Sequence, residues 1–348
     1  MSRRLAVLAG LLAAAVLTAG CGSTVEVRES DLSVRAATAA TTTPHPSETA
    51  RRPGAPTGRV RIVVVTHGQA SDPFWAIVRT GINQAAHQVG ATVTYEAPDT
   101  YDVRRMAQLI DEAVARKPNG LVVTIPDARA LGPSIRRTVK AGIPVISLNS
   151  GTFASRKLGV LLHIGQPDQR AGFEAGQRFA KSRVRRALCV NQEVGNAALE
   201  ERCRGFAAAM KQAHGTSTTL DVNLQDAAGT ERRIAGALAR HVDGIMALGP
   251  TGASPALDAL RSKDLIGKVK LATFDLSPDV ITAVRRGQIE FAVDQQPFLQ
   301  GYLPILFLTQ YQRYGLLPGR GEIVDTGPSF VTPENADAVG RLADQEIR

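Results

Sequence analysis

The sequence predicts an α/β protein built as two doubly wound parallel-sheet lobes. Three observations predict it. Short β-branched runs alternate with longer amphipathic stretches from Val60 onward, the order of βαβ units whose parallel strands are covered on both faces. The alternation restarts at Leu158, so there are two such units. The chain has 348 residues, 44% hydrophobic and 21% charged, enough for two cores without staples.

The elements follow in order. Val60 to Val65 is a strand. Pro73 to Val89 is a helix, with Asp72 as N-cap and Pro73 at its first position. Ala91 to Tyr95 is a strand. Val103 to Arg116 is a helix, because Met106, Leu109, Ile110, Ala113 and Val114 keep helical spacing. Gly120 to Ile125 is a strand, Ala130 to Ala141 a helix and Ile143 to Leu148 a strand. The second unit opens with a strand over Leu158 to Ile164. Helices are expected at Ala171–Lys181, Leu199–Ala213, Glu231–Arg240 and Ser254–Arg261. The strands between them are Arg186–Val190, Thr218–Leu224, Gly244–Leu248 and Val269–Phe274. From Pro278 come a helix, the strand Ile289–Val293, the apolar helix Pro297–Tyr314 and a short strand near Glu322–Asp325.

The N-terminus reads differently. Arg3 and Arg4 precede the apolar run Leu5 to Leu17, too short and Ala-rich for a membrane span. This is an export signal. Leu17-Thr18-Ala19-Gly20-Cys21 resembles a bacterial lipobox, which makes residues 1–21 a lipoprotein signal and Cys21 the lipidated residue. The alternative is an ordinary cleaved signal with a chance cysteine. Residues 22–58 are rich in Thr, Ala, Ser and Pro without apolar period, and read as a disordered tether. Cys189, at a strand end, and Cys203, in the helix after it, are expected to pair in an oxidising compartment. The alternative is two reduced buried cysteines.

Charge excludes one class. The net charge is +9, and the first 58 residues hold six Arg against four acids. The remaining basic residues are scattered, without the concentrated stripe of a nucleic-acid face.

In open parallel sheets, ligands bind beyond the carboxyl ends of the strands. The first unit offers Thr66, His67, Gly68, Gln69, Ser71, Asp72, Phe74 and Trp75, then Asp127, then Asn149, Ser150 and Gly151. The second offers Asn191, Glu193, Gly195 and Asn196, then Gly249, Pro250 and Thr251, then Asp275. Asp294, Gln295 and Gln296 follow the strand ending at Val293. Amides, a few carboxylates and the chain's one Trp beside a Phe suit a polyhydroxylated ring. Aromatic faces cover its C–H side and polar groups pair its hydroxyls. For any single residue, helix capping is the competing role, and Asp72 serves both.

The segments His67-Gly68-Gln69-Ala70-Ser71-Asp72-Pro73-Phe74-Trp75, Ile143 to Gly151, Ala272-Thr273-Phe274-Asp275 and Val293-Asp294-Gln295-Gln296-Pro297 resemble the ribose-binding-protein-like family. These are type I periplasmic sugar-binding proteins of ABC importers. The resemblance runs from about residue 60 to the end. It implies a first lobe of residues 59–163 plus 296–325, and a second of 164–295 plus 326–348. A hinge of three crossings, near His163, Gln295 and Asp325, joins them. It implies that Phe74 and Trp75 sandwich the sugar and that Asp72, Asp275 and Gln295 bind hydroxyls. Arg202 takes the role of a sugar-binding Arg in the segment Glu200–Arg202. Asn149 stands where the family often has Asp, Ser150 where Arg is common and Gly249 where Asn is frequent, so the ribose signature is lost. His67, Asp127, Ser150 and Asn196 complete the candidate ligand set.

The expected function is an extracytoplasmic solute-binding lipoprotein, anchored to the outer face of the cytoplasmic membrane. It captures a sugar or polyol and passes it to an ABC importer permease. It is expected to be a monomer without cofactor or metal. The alternatives are a ligand sensor presenting its ligand to a receptor, and an enzyme on a sugar-like substrate. The enzyme reading lacks a His-Glu-x-x-His pair, a Gly-x-Ser-x-Gly elbow and a phosphate loop. A regulator of the lactose-repressor kind shares this core but needs an N-terminal helix-turn-helix, where this chain has its export signal and tether.

Overall fold

In the computed structural model the described residues are 54–68, 72–223, 225–318, 323–343 and 345–348. The expected signal, Cys21 and all of the expected tether before residue 54 lie outside them, as do Gln69 and Ser71. Among the described residues no helix is long and apolar enough to cross a membrane.

The first lobe is built on β1 (Arg61–Val65), β2 (Thr92–Glu96), β3 (Gly120–Val123), β4 (Val145–Leu148), β5 (His163–Gly165) and β11 (Ile323–Asp325). They run in the order β11-β5-β4-β3-β1-β2, every pair parallel. The period-2 rule decides what each face holds. Ile62 and Val64 face a core with Trp75, Val78 and Leu308, while Val63 and Val65 face one with Met106, Ile110 and Ile135. Helices α1 (Pro73–Val89) and α9 (Pro297–Tyr314) cover the first face, and α2 (Val103–Ala115) and α3 (Ala128–Lys140) the second.

The second lobe has β6 (Arg186–Asn191), β7 (Thr216–Asp221), β8 (Gly244–Ala247), β9 (Lys270–Phe274), β10 (Phe291–Asp294) and β12 (Ser329–Val331). Their order is β12-β10-β9-β8-β6-β7, and only β12 runs antiparallel to its neighbour. Helices α4 (Asp168–Lys181) and α5 (Ala197–Gln212) cover one face. The other is covered by α6 (Ala227–Leu238), α7 (Pro250–Ser262), α8 (Pro278–Arg285) and α10 (Ala336–Ala343). The chain passes between the sheets three times, after Gly165, after Asp294 and after Asp325. The crossings lie side by side: Thr326 N donates to Gly165 O at 3.0 Å, and Gln296 Nε2 to Thr326 O at 2.8 Å.

Three expectations need correction. The strand over Leu158–Ile164 is a 3-10 turn at Arg156–Leu158, followed by a strand only at His163–Gly165. Alternating burial misled here: Leu158 and Val160 face one core and Leu162 the other, although the ladder to β4 begins only at Leu161. Helix α7 begins at Pro250, its first position, rather than at the expected Ser254. Strand β12 and helix α10, of three and eight residues, were not anticipated.

Candidate functional site

The carboxyl ends of the two sheets face each other. From the first lobe His67, Asp72, Phe74, Trp75 and Asn149 line a shared cavity, and Gln295 lines it from the second crossing. From the second lobe come Gln192, Glu193, Leu199, Arg202, Leu248, Gly249, Pro250 and Asp275. The volume is about 30 Å³, room for about two waters, so the walls must part to admit a ring.

The first-lobe wall starts from a helix cap. Asp72 accepts from Phe74 N at 2.9 Å, fixing the entry to α1, and burial raises its pKa. Phe74 and Trp75 then project from the first turn, with ring centroids 5.0 Å apart and planes at 83°. Trp75 lies against Gly68, where any Cβ would collide with the indole. These rings meet edge to face, and two consecutive residues of one helix cannot take both faces of a flat ligand. The expected sandwich is therefore corrected: the first lobe supplies one aromatic wall, faced across the cavity by Leu199, Leu248 and Pro250.

His67 stands edge-on to Trp75 at 5.0 Å. Its Nδ1 lies 2.8 Å from Thr124 Oγ1, and its Nε2 lies 3.3 Å from Asn196 Nδ2. Burial first, and Arg202 second, lower its pKa to about 3. A neutral ring with Nε2 accepting and Nδ1–H donating satisfies both partners.

Asn149, Asp275 and Gln296 follow strand ends with φ of 60°, 62° and 56°. Left-handed backbone is unusual outside glycine and collects at functional sites. Here it turns side chains into one buried chain of hydrogen bonds. Ser150 Oγ lies 3.0 Å from Asn149 Oδ1. Asn149 Nδ2 donates to Gln295 Oε1 and Gln300 Oε1, both at 3.2 Å. Gln295 Nε2 donates to Asp275 Oδ1 at 2.7 Å. Asp275 Oδ2 is 3.9 Å from Arg202, whose Nε donates to Asp168 Oδ1 at 2.7 Å. Gln300 Nε2 closes the chain onto Thr326 Oγ1 at 3.1 Å. The network joins residues at two crossings to residues in the cavity wall.

Arg202 is 2% exposed and its guanidinium lies 4.6 Å from the Phe274 ring centre. Burial opposes its charge, but Asp168 and Asp275 more than offset this and hold its pKa above the ordinary value. Burial raises Asp275 to about 7, against the pull of Arg202. It raises Glu193 likewise to about 7, against the hydrogen bond from Asn196. Near neutral pH both groups exist in two forms, able to accept from or donate to a hydroxyl.

Three expected ligand residues stand elsewhere. Asp127 caps α3, accepting from Arg129 N at 2.7 Å and Ala130 N at 3.1 Å, and does not line the cavity. Ser150 and Asn196 meet each other across the lobes, with Ser150 Oγ 3.3 Å from Asn196 Oδ1. Asn196 also caps α5 through Ala198 N and donates to Glu193 Oε2 at 2.6 Å. Ala197 N donates to Pro126 O at 2.9 Å, a third contact between lobes beside those of Asn196 to His67 and Ser150. Gln192, Leu199, Leu248, Asp168 and Gln300 were missed. Gln192 and Leu248 adjoin strand ends and were within reach of the strand-end rule. Asp168, Leu199 and Gln300 lie on helices and carry no such signal. Cys189 and Cys203 are disulfide-bonded, with Cα atoms 5.8 Å apart. Among the described residues no group of three or more His, Cys, Asp or Glu is placed to hold a metal ion.

Comparison with known proteins agrees with this architecture. The family model described as "Periplasmic binding protein domain" matches residues 62–315. A carbohydrate transporter from Acidothermus cellulolyticus 11B, solved in complex with myo-inositol, superposes with a TM-score of 0.77 at 37% identity, covering 83% of this chain and 100% of that one. A periplasmic sugar-binding protein of an ABC sugar transporter from Legionella pneumophila gives 0.72 at 27%, covering 77% and 100%. The xylose/arabinose-binding protein XylF of Sulfolobus acidocaldarius is 26% identical over 294 residues, 79% of this chain and 71% of that protein. These relatives are binding proteins of transport systems, not enzymes. A match over most of the chain, with the same two-lobed fold, means that the protein belongs to the periplasmic binding protein family.

Proposed function

We propose that the chain is the solute-binding lipoprotein of an ABC importer and that its ligand is a cyclic polyol or sugar, with myo-inositol the first candidate. The observation that carries this reading is the cavity wall itself. It brings the Phe74 and Trp75 rings together with the amides of Asn149, Gln192 and Gln295 and with two carboxyl groups, Glu193 and Asp275, that burial raises to about 7. A ring with apolar C–H faces and a rim of hydroxyls complements such a wall. The 37% identical transporter bound to myo-inositol supports the polyol class.

Binding acts through the lobes. The contacts Asn196–His67, Asn196–Ser150 and Ala197–Pro126 form only when the lobes are together. A ligand touching both walls favours that state by its differential affinity. The permease then reads the closed shape. Anchoring rests on the sequence Leu17 to Cys21. A receptor in place of a permease is the second reading, and the cavity serves either.

The test is a thermal-shift and calorimetric screen of the mature protein against myo-inositol, pentoses and hexoses. A ligand present at about 100 times its Kd stabilises the folded state by about 2.7 kcal/mol. No shift with any polyol or sugar would sink the ligand class, and conversion of the ligand would make the protein an enzyme. For the anchor, Cys21→Ser should release the protein from the membrane fraction; unchanged retention would refute lipidation.

A further inference from the structure

Cys189 and Cys203 are 14 residues apart in sequence and joined by a disulfide. Four residues that line the cavity, Gln192, Glu193, Leu199 and Arg202, lie between them. So does Asn196, which meets His67 and Ser150 of the first lobe, and Ala197, whose N–H donates to Pro126 O. One short segment is thus both a wall of the cavity and a point of contact between the lobes.

The two ends of this segment are anchored by different means. Cys189 is fully buried in β6, which pairs with β7 on one side and β8 on the other, so it is a fixed post. Beyond Arg202, α5 is held by packing: Gly176 and Gly205 let α4 and α5 approach closely, and Phe206 packs edge-on against Phe179. The disulfide ties the near end of α5 to the strand and closes the base of the loop. The packing beyond it leaves α5 in place without the cross-link.

We propose that the Cys189–Cys203 disulfide is a positioning element of the binding site. It holds Glu193, Asn196 and Arg202 in register with the first lobe before the ligand arrives. The proposal rests on the reading of this cavity as the ligand site. An uncrosslinked loop samples more conformations while the lobes are apart, and the entropy lost on ordering it counts against closure. A cross-link removes those conformations beforehand.

The experiment compares the full chain with the double variant Cys189→Ala/Cys203→Ala, by amide hydrogen exchange and by calorimetry with myo-inositol. Without ligand, amides of residues 192–202 should exchange at least about ten-fold faster in the double variant, while those of 206–212 stay unchanged. Affinity should fall about ten-fold. Ile234→Ala, a truncation in the second lobe's far core, should lower the melting temperature yet leave affinity within about two-fold. That control separates positioning from general loss of stability. Unchanged exchange over 192–202, or a loosened loop with wild-type affinity, overturns the proposal. If the wild-type protein ignores myo-inositol, that first candidate fails, and hydrogen exchange still decides whether the disulfide orders the loop.

Discussion

Asp275→Asn probes the residue where hinge and cavity meet. Asp275 accepts from Gln295 at 2.7 Å and faces Arg202 at 3.9 Å, on backbone with φ of 62°. Alanine there would add about 1 kcal/mol of backbone cost, whereas asparagine tolerates the left-handed region and isolates the carboxyl. A ligand hydroxyl bonded to an ionised carboxylate contributes about 1.5–3 kcal/mol, or about 10- to 150-fold in affinity. Because Asp275 titrates near 7, the full loss should appear at about pH 8 and shrink at about pH 6. Stability follows the same shift with a definite sign. The folded pKa is raised from 3.8 to about 7, so the folded state keeps a proton that the unfolded chain gives up. This contribution is present below 3.8 and is lost as pH rises to about 7. The variant has no such loss, and its melting temperature should gain on the wild type across that window. Calorimetry with myo-inositol and unliganded melts at several pH values are the assays. Wild-type affinity at about pH 8, or a melting gap that ignores pH, would refute the reasoning.

Other expectations follow from neighbouring residues. Glu193→Gln should also flatten the loss of stability with rising pH, because Glu193 is raised from 4.5 to about 7; an unchanged pH profile would count against its burial. His67 works in the opposite sense: lowered from 6.5 to about 3, it charges more readily in the unfolded chain, so its contribution grows as pH rises through that range. His67→Gln should remove that growth, read from melts between about pH 3 and pH 6.5. Trp75 is the chain's one tryptophan, so ligand should change the emission from a single source, and a bound ligand that leaves it unaltered would argue against stacking. Gly68→Ala must displace the Trp75 indole, costing about 1–3 kcal/mol and weakening binding; a crystal structure with Trp75 unmoved would show the collision reasoning to be wrong.

One polar network links the cavity wall to the crossings. The same Gln295 amide that lines the cavity bonds Asn149, Asp275 and Gln300, and Gln300 reaches Thr326 at the third crossing. A ligand that re-pairs Asp275 or Asn149 therefore acts directly on groups at the crossings, the route by which occupancy can bias closure.

The alternation of strands and helices, the two units and the polar strand ends were legible in the residues alone. Those features are local: side-chain period, a cap such as Asp72, and proline at helix starts act within a few residues. Helices α1 and α9 were legible to the residue because Pro73 and Pro297 mark their first positions and Gly90 and Gly315 their ends. Which strand-end residues line the cavity was settled by the packing of distant segments. Asp127 turned to its own helix, and Ser150 and Asn196 turned to each other, choices set by whatever lies opposite. It also supplied Asp168 to Arg202 and Gln300 to Gln295. The first pair is 34 residues apart in sequence, and both bring helix residues to a site whose sequence signal lies in strand ends. The placement of the Trp75 indole likewise rests on Gly68 and His67, which pack against it from another segment. A one-dimensional pattern records which residues leave the core, and the packing of distant segments settles what they meet.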